Sequence, residues 1–80
     1  MPHVSIKMYP GRTADQKKAL TDRIVRAMEE TIGADSKSIS VSFEEIAPEE
    51  WDEAVVKPDI AGKKEFLFKP PEYKSKYLTG

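Results

Sequence analysis

Apolar and polar residues alternate along residues 3–9, the pattern of a strand with one buried face. Val4, Ile6 and Met8 fall on one side, and polar side chains fall on the other. A strand repeats every two residues, so one face packs against a core while the other meets water. The dipeptide Pro10–Gly11 follows and is expected to end the strand.

A helical period replaces this alternation further along the chain. Thr13 and Gln16 have the spacing of a capping box, and Gly33 is suited to close the helix. Apolar residues recur between them at intervals of three or four: Leu20, Ile24, Ala27, Met28 and Ile32. The pattern predicts an amphipathic helix of about 20 residues with its apolar stripe on the core side.

A second alternating stretch, with Ile39, Val41 and Phe43 on one face, predicts another strand. The order strand, helix, strand favours a right-handed β-α-β crossover with parallel strands. One helix covers only one face of such a sheet, and a two-stranded sheet is not stable alone. We therefore expect an α/β protomer whose two-stranded parallel sheet is completed by dimerisation.

The residues after Ile46 differ in character. Six acidic residues and no basic residue lie in 44–56, and Lys outnumbers the acidic residues from residue 57 onward. Pro48 predicts the start of a short helix, and Pro58–Asp59 predicts a second one reaching about Phe66. We expect residues 1–80 to form a single domain with short carboxyl-terminal helices and a tail at 74–80.

Composition limits which additional interactions can stabilise the fold of this small chain. Leu, Ile, Val and Phe make up only 17 of the 80 residues. Because the chain has no Cys and a single His, disulfides and a metal site are not expected. Oligomerisation is the remaining means of stabilising a thin core.

Net charge and hydropathy exclude several classes of function. The net charge of −1 argues against sequence-independent nucleic-acid binding, which needs a surplus of Lys and Arg. No apolar run reaches the ~18 residues of a membrane span. No charged leader precedes an apolar segment at the amino terminus. We expect a cytoplasmic protein that contacts neither membrane nor nucleic acid.

Pro2 is the candidate for chemistry. Removal of Met1 would leave a mature chain that begins with proline, a secondary amine on a rigid ring. In an apolar pocket the charged form of this amine is disfavoured, so its pKa falls and it can act as a base near neutral pH. A harmless processed terminus is the alternative interpretation of the same residues.

Several residues together resemble the tautomerase superfamily and its 4-oxalocrotonate tautomerase-like members. They are Pro2, the strand Val4–Tyr9, Gly11–Arg12 with the residues at 13–17, and the second strand Ile39–Ile46. Pro2–His3, Ile6–Lys7 and residues 48–51 are similar to a bacterial dimeric subgroup, the phenylpyruvate tautomerase-like PptA type. The resemblance covers residues 2–73.

The resemblance implies a role for each matching residue. Pro2 would be the general base, and Arg12 would bind the substrate carboxylate with its planar donor fork. Trp51 would line the pocket as an apolar wall. Ser40 stands where the oxalocrotonate enzymes carry a second arginine, which favours a monoacid such as an aryl 2-oxo acid.

The implied activity is enol–keto tautomerisation of a 2-oxo acid without a cofactor. Alternatives remain open on the same scaffold. A protonated proline could support hydration, dehalogenation or decarboxylation, and a dimeric binding module could retain the fold without catalysis. The sequence leaves open whether the site is completed by a second chain, and whether the assembly is a dimer or a higher oligomer.

Overall fold

The computed structural model describes residues 1–78, which fall into two compact units. The first unit is Met1–Glu45, and the second begins at Ile46. The last two residues of the predicted tail, 79 and 80, lie outside the described residues. The expectation of a single domain over the whole chain stays a prediction.

The first unit is a β-α-β arrangement, as the sequence predicts. Strands β1 (His3–Met8) and β2 (Ser40–Glu45) pair in parallel, and helix α1 (Ala14–Ile32) connects them with a short 3₁₀ turn at Ser36–Ser38. His3 is the partner of Ser40, and the register continues without a bulge to Met8 and Glu45. The fold class is confirmed.

Both ends of α1 form as the sequence predicts. The Thr13 hydroxyl accepts from the Gln16 N–H at 3.1 Å, and Gln16 Oε1 accepts from the Thr13 N–H at 2.8 Å. This reciprocal capping box satisfies two backbone donors at the helix start. Gly33 adopts a left-handed conformation, φ 67°, which glycine tolerates without steric cost.

The buried side of α1 differs from the predicted stripe. Ile24 and Met28 are half-buried as expected, but Leu20 and Ile32 are 40% and 65% exposed. The half-buried positions of α1 are Lys17, Thr21, Ile24, Val25 and Met28. The helix therefore turns a line through Thr21 and Val25 inward, and part of its apolar stripe stays exposed in the single chain.

Pro58 corrects one sequence expectation. It lies inside a nine-residue π-helix, Asp52–Ile60, instead of opening a new helix. The wider turn gives the pyrrolidine ring room, and the missing N–H of proline removes only one backbone bond. The helical path continues as a 3₁₀ segment at Ala61–Phe66, so the predicted end near Phe66 is confirmed. Pro48 begins a 3₁₀ turn, Pro48–Glu50, also as predicted.

Full burial is confined to the second unit. Among residues 1–78 only Val55 and Val56 are buried hydrophobic residues, at 5% and 0% exposure. The first unit therefore holds its regular elements without a fully buried side chain.

None of the helices within residues 1–78 is long and apolar enough to span a membrane.

Candidate active site

Pro2 is held at the start of β1 by the strand pairing. The Ser40 N–H donates to the Pro2 carbonyl oxygen at 3.2 Å, which extends the ladder by one bond beyond His3. Pro2 is half-buried, whereas the Met1 side chain is fully exposed. The ring is thus fixed beside β2 while the residue before it projects into solvent.

Ser40 lies beside Pro2, so the fold brings these two predicted site residues together. Its hydroxyl oxygen is 2.6 Å from His3 Nδ1, and which group donates depends on the tautomer of the imidazole. The sequence analysis does not include His3 among the candidate site residues. The parallel register of the two strands places residues 3 and 40 opposite each other, and this register is the feature that links His3 to the site. The role of Ser40 toward a substrate stays a prediction.

Arg12 lies at the opposite end of β1. It follows the strand, whereas Pro2 precedes it, and the six intervening strand residues span about 20 Å. Arg12 is exposed and has no hydrogen-bond or ion-pair partner within residues 1–78. A single copy of the first unit does not bring Pro2 and Arg12 together.

A shallow groove of about 200 Å³ surrounds Arg12. It is lined by Met8, Arg12, Gln16, Lys17, Leu20 and Phe43. Lys17 Nζ forms an ion pair with Glu45 Oε2 at 3.0 Å, which leaves Arg12 as the uncompensated charge of the groove. An apolar floor with a single free guanidinium suits an organic acid that has one carboxylate and an apolar substituent.

Trp51 belongs to the second unit. Its indole Nε1–H donates to the Tyr73 hydroxyl at 3.0 Å, and the side chain is half-buried. The bond fixes the ring, since a buried indole N–H needs an acceptor. The predicted role of Trp51 as a pocket wall near the proline stays a prediction.

A cluster of titrating groups in the second unit escaped the sequence analysis. The Tyr77 hydroxyl donates to Glu53 Oε1 at 2.5 Å, and Lys76 Nζ is 3.1 Å from the same oxygen. The Tyr77 bond is the largest cause that lowers the pKa of Glu53, with the Lys76 bond second. The bond to Glu53 in turn raises the pKa values of Tyr77 and Lys76. The residues are 23 or 24 positions apart, so no local pattern links them.

The described residues do not contain an evident set of metal ligands. Within residues 1–78 no group of three or more His, Asp or Glu side chains is placed to hold a metal ion. The expectation that the protein works without a metal or a cofactor stays a prediction.

Comparison with known proteins decides the family. A model of the tautomerase enzymes matches residues 2–56, which include both strands, α1, Pro2 and Arg12. The chain belongs to the tautomerase family. It is therefore an isomerase of the tautomerase type, and its position among the 4-oxalocrotonate tautomerase-like and PptA-like members is confirmed.

Individual members of the tautomerase family cover much of this chain. Tautomerase PptA of Pectobacterium atrosepticum is 32% identical over 74 residues, covering 91% of this chain and 97% of its own. The crystal structure of N2, a member of the 4-oxalocrotonate tautomerase family, has a TM-score of 0.55 and 41% identity over 57% of this chain and 72% of its own. A structure from a study of trans-3-chloroacrylic acid dehalogenase activity has a TM-score of 0.58 and 31% identity, over 61% of this chain and 92% of its own.

Proposed function

We propose that this tautomerase converts the enol of a 2-oxo monoacid such as phenylpyruvate into the ketone, with Pro2 as the general base. The observation that carries the proposal is Pro2 itself, half-buried and bonded through its carbonyl to the Ser40 N–H in a chain of the tautomerase family. A fixed amine can be aimed at a substrate, whereas a frayed terminus cannot.

The reaction needs a free amine at Pro2. With Met1 attached, the proline nitrogen is an amide whose lone pair is delocalised into the carbonyl. The full exposure of Met1 supports its removal, because a processing enzyme can reach it. In the mature form the neutral amine takes the proton of the enol hydroxyl, the oxygen becomes a carbonyl, and the ammonium returns a proton to the adjacent carbon.

Arg12 completes the site from a second copy of the chain. The length of β1 separates it from the Pro2 of its own unit by about 20 Å, farther than a small 2-oxo acid reaches. A homodimer in which Arg12 of one protomer faces Pro2 of its partner lets the carboxylate bind one chain while the enol meets the other. Trp51 is proposed to form the apolar wall of this pocket, and Ser40 to border it without adding a second cation.

Dimerisation has independent support in the exposed apolar surface. Ile32 of α1 is 65% exposed and lies outside the lining of the Arg12 groove, and the first unit has no fully buried residue. Burial of apolar surface contributes about 25 cal/mol per Å², so covering the Ile32 side chain stabilises the fold. The melting temperature should therefore fall on dilution into the nanomolar range. A monomeric mass in sedimentation together with a concentration-independent melt would exclude the dimer.

The decisive experiment compares three forms of the protein on the enol of phenylpyruvate. The processed protein should turn it over, whereas the Met1-retaining protein and Pro2→Ala should not. Pro70→Ala is the matched control, since it changes an exposed proline elsewhere in the chain. Mass spectrometry establishes which form is present. Full activity in protein that wholly retains Met1 would show that Pro2 is not the base.

A second candidate reaction uses the same residues. The similarity to a structure studied for dehalogenase activity favours testing a 3-chloroacrylate, where a protonated proline would assist the addition of water. If the protein releases chloride from a 3-chloroacrylate and does not turn over the enol, its substrate is a haloacrylate and not the enol of a 2-oxo acid.

We further propose that the enzyme works in the cytoplasm, in keeping with a chain that has no cysteine.

A further inference from the structure

We propose that Glu45 determines the charge specificity of the substrate site, by pairing with Lys17 so that the Arg12 groove presents one uncompensated cation. The groove then admits monocarboxylates in preference to dicarboxylates. The inference rests on the proposed function, because it names the residue that selects the substrate class at the same site.

The position of the Lys17–Glu45 pair carries the argument. Lys17 lines the groove from α1, and Glu45 reaches it from the end of β2, 3.0 Å away. The Lys17 side chain is only 25% exposed, against 76% for Lys18 in the ion pair one position further along the helix. The Glu45 side chain is 42% exposed, against 64% for Asp22, so the Lys17–Glu45 pair is screened less than the Lys18–Asp22 pair.

Arg12 stands in contrast to its neighbour in the groove. It has no ion-pair partner within residues 1–78, so its guanidinium is available to a ligand. Met8, Leu20 and Phe43 supply the apolar part of the lining. One carboxylate can pair with Arg12 while an apolar substituent covers these side chains. A second carboxylate would meet Lys17 only in competition with Glu45, and close to its negative charge.

The experiment measures a ratio of kcat/KM values. The numerator is for a straight-chain enol with a carboxylate at each end, and the denominator is for the enol of phenylpyruvate. Glu45→Gln frees Lys17 and should raise the ratio by about tenfold, which corresponds to about 1.4 kcal/mol. Lys17→Met leaves Glu45 uncompensated and should move the ratio in the opposite direction. The double variant should return it close to the value of the unmodified protein.

Asp22→Asn provides the matched control, because it frees Lys18 on the same helix outside the groove. Its ratio should equal that of the unmodified protein. An unchanged ratio in Glu45→Gln, or an equal rise in Asp22→Asn, overturns the proposal. Opposite shifts from the two members of the pair support it, and Lys17→Met carries the test if Glu45→Gln does not fold.

A binding measurement separates this proposal from the proposed function. Calorimetry with 3-phenylpropanoate and glutarate, acids that do not react, reports the charge preference without turnover. If Pro2→Ala is as active as the unmodified protein, the assignment of Pro2 as the base fails, but a shift toward glutarate in Glu45→Gln still supports the role of Glu45. If Pro2→Ala is inactive and Glu45→Gln shows no shift toward glutarate, only the role of Glu45 fails.

Discussion

The two units of this chain differ in where their order comes from. The first, Met1–Glu45, consists of regular elements with well-formed ends, yet none of its residues is fully buried. The second unit follows an irregular helical path but contains the buried Val55 and Val56. Backbone pairing and capping thus define the first unit, and burial with side-chain bonds defines the second.

The two units are therefore expected to contribute differently to catalysis and to stability. Three of the four candidate site residues lie in the first unit: Pro2 and Ser40 where strands begin, and Arg12 in the turn before α1. Trp51 lies in the second unit. The second unit ties its last described residues to the π-helix through Ser75 and Asp52 at 2.7 Å and through Tyr77 and Glu53. Substitutions in the first unit should therefore affect activity most, and substitutions in the second should affect stability.

Arg12→Ala should have the largest effect, and it should fall on activity. Loss of a charged partner for the substrate carboxylate should cost about 2–5 kcal/mol of transition-state binding, measured as kcat/KM. The melting temperature should change little, because Arg12 is exposed and makes no ion pair within residues 1–78. A neutral amide analogue of the substrate is the control. Equal losses for acid and amide would assign Arg12 a structural role.

Val56→Ala should have the next largest effect, and it should fall on stability. Truncation of this 0% exposed side chain should lower the free energy of unfolding by about 2–3 kcal/mol through lost burial and a residual cavity. Val25→Ala, at a half-buried position of α1, is the matched control and should cost about half as much. Urea unfolding measures both. A larger loss in Val25→Ala would reverse the contrast between the units.

Thr13→Ala should destabilise the first unit through its helix cap. Removal of the hydroxyl that accepts from the Gln16 N–H should cost about 1 kcal/mol in thermal or urea unfolding. Thr31→Ala is a suitable control, since the Thr31 hydroxyl donates to the Ala27 carbonyl within the same helix and caps nothing. Equal effects from both substitutions would mean that the cap adds nothing specific.

The smallest expected effect is that the second unit becomes less ordered as the pH is lowered. Because the pKa of Glu53 is lowered in the folded protein, its contribution is complete above the unfolded value and is lost as pH falls through the folded value. The hydrogen-exchange protection of residues 74–78, measured relative to the intrinsic exchange rate at each pH, should therefore fall in acid. Tyr77→Phe removes the principal bond to Glu53 and should weaken this pH dependence. Tyr73→Phe, which loses an uncharged bond to Trp51, should leave it intact.

Local sequence rules account for most of the regular structure. The alternation of Val4, Ile6 and Met8 identifies β1, and Thr13 with Gln16 identifies the start of α1. These features depend on neighbours within a few residues, so they can be read along the chain. The placement of Pro58 within a π-helix could not, because proline at a first turn and proline within a widened turn look alike in sequence.

The sequence by itself determined the β-α-β order, the capped helix and the candidates Pro2 and Arg12. Only the tertiary structure decided that Ser40 lies beside Pro2 and His3, that Arg12 lies a strand length away, and that Glu45 compensates Lys17. The physical reason is range. Propensity and capping act over a few residues, whereas strand register and ion pairs join positions 28 or 37 residues apart, which only the folded chain brings into contact.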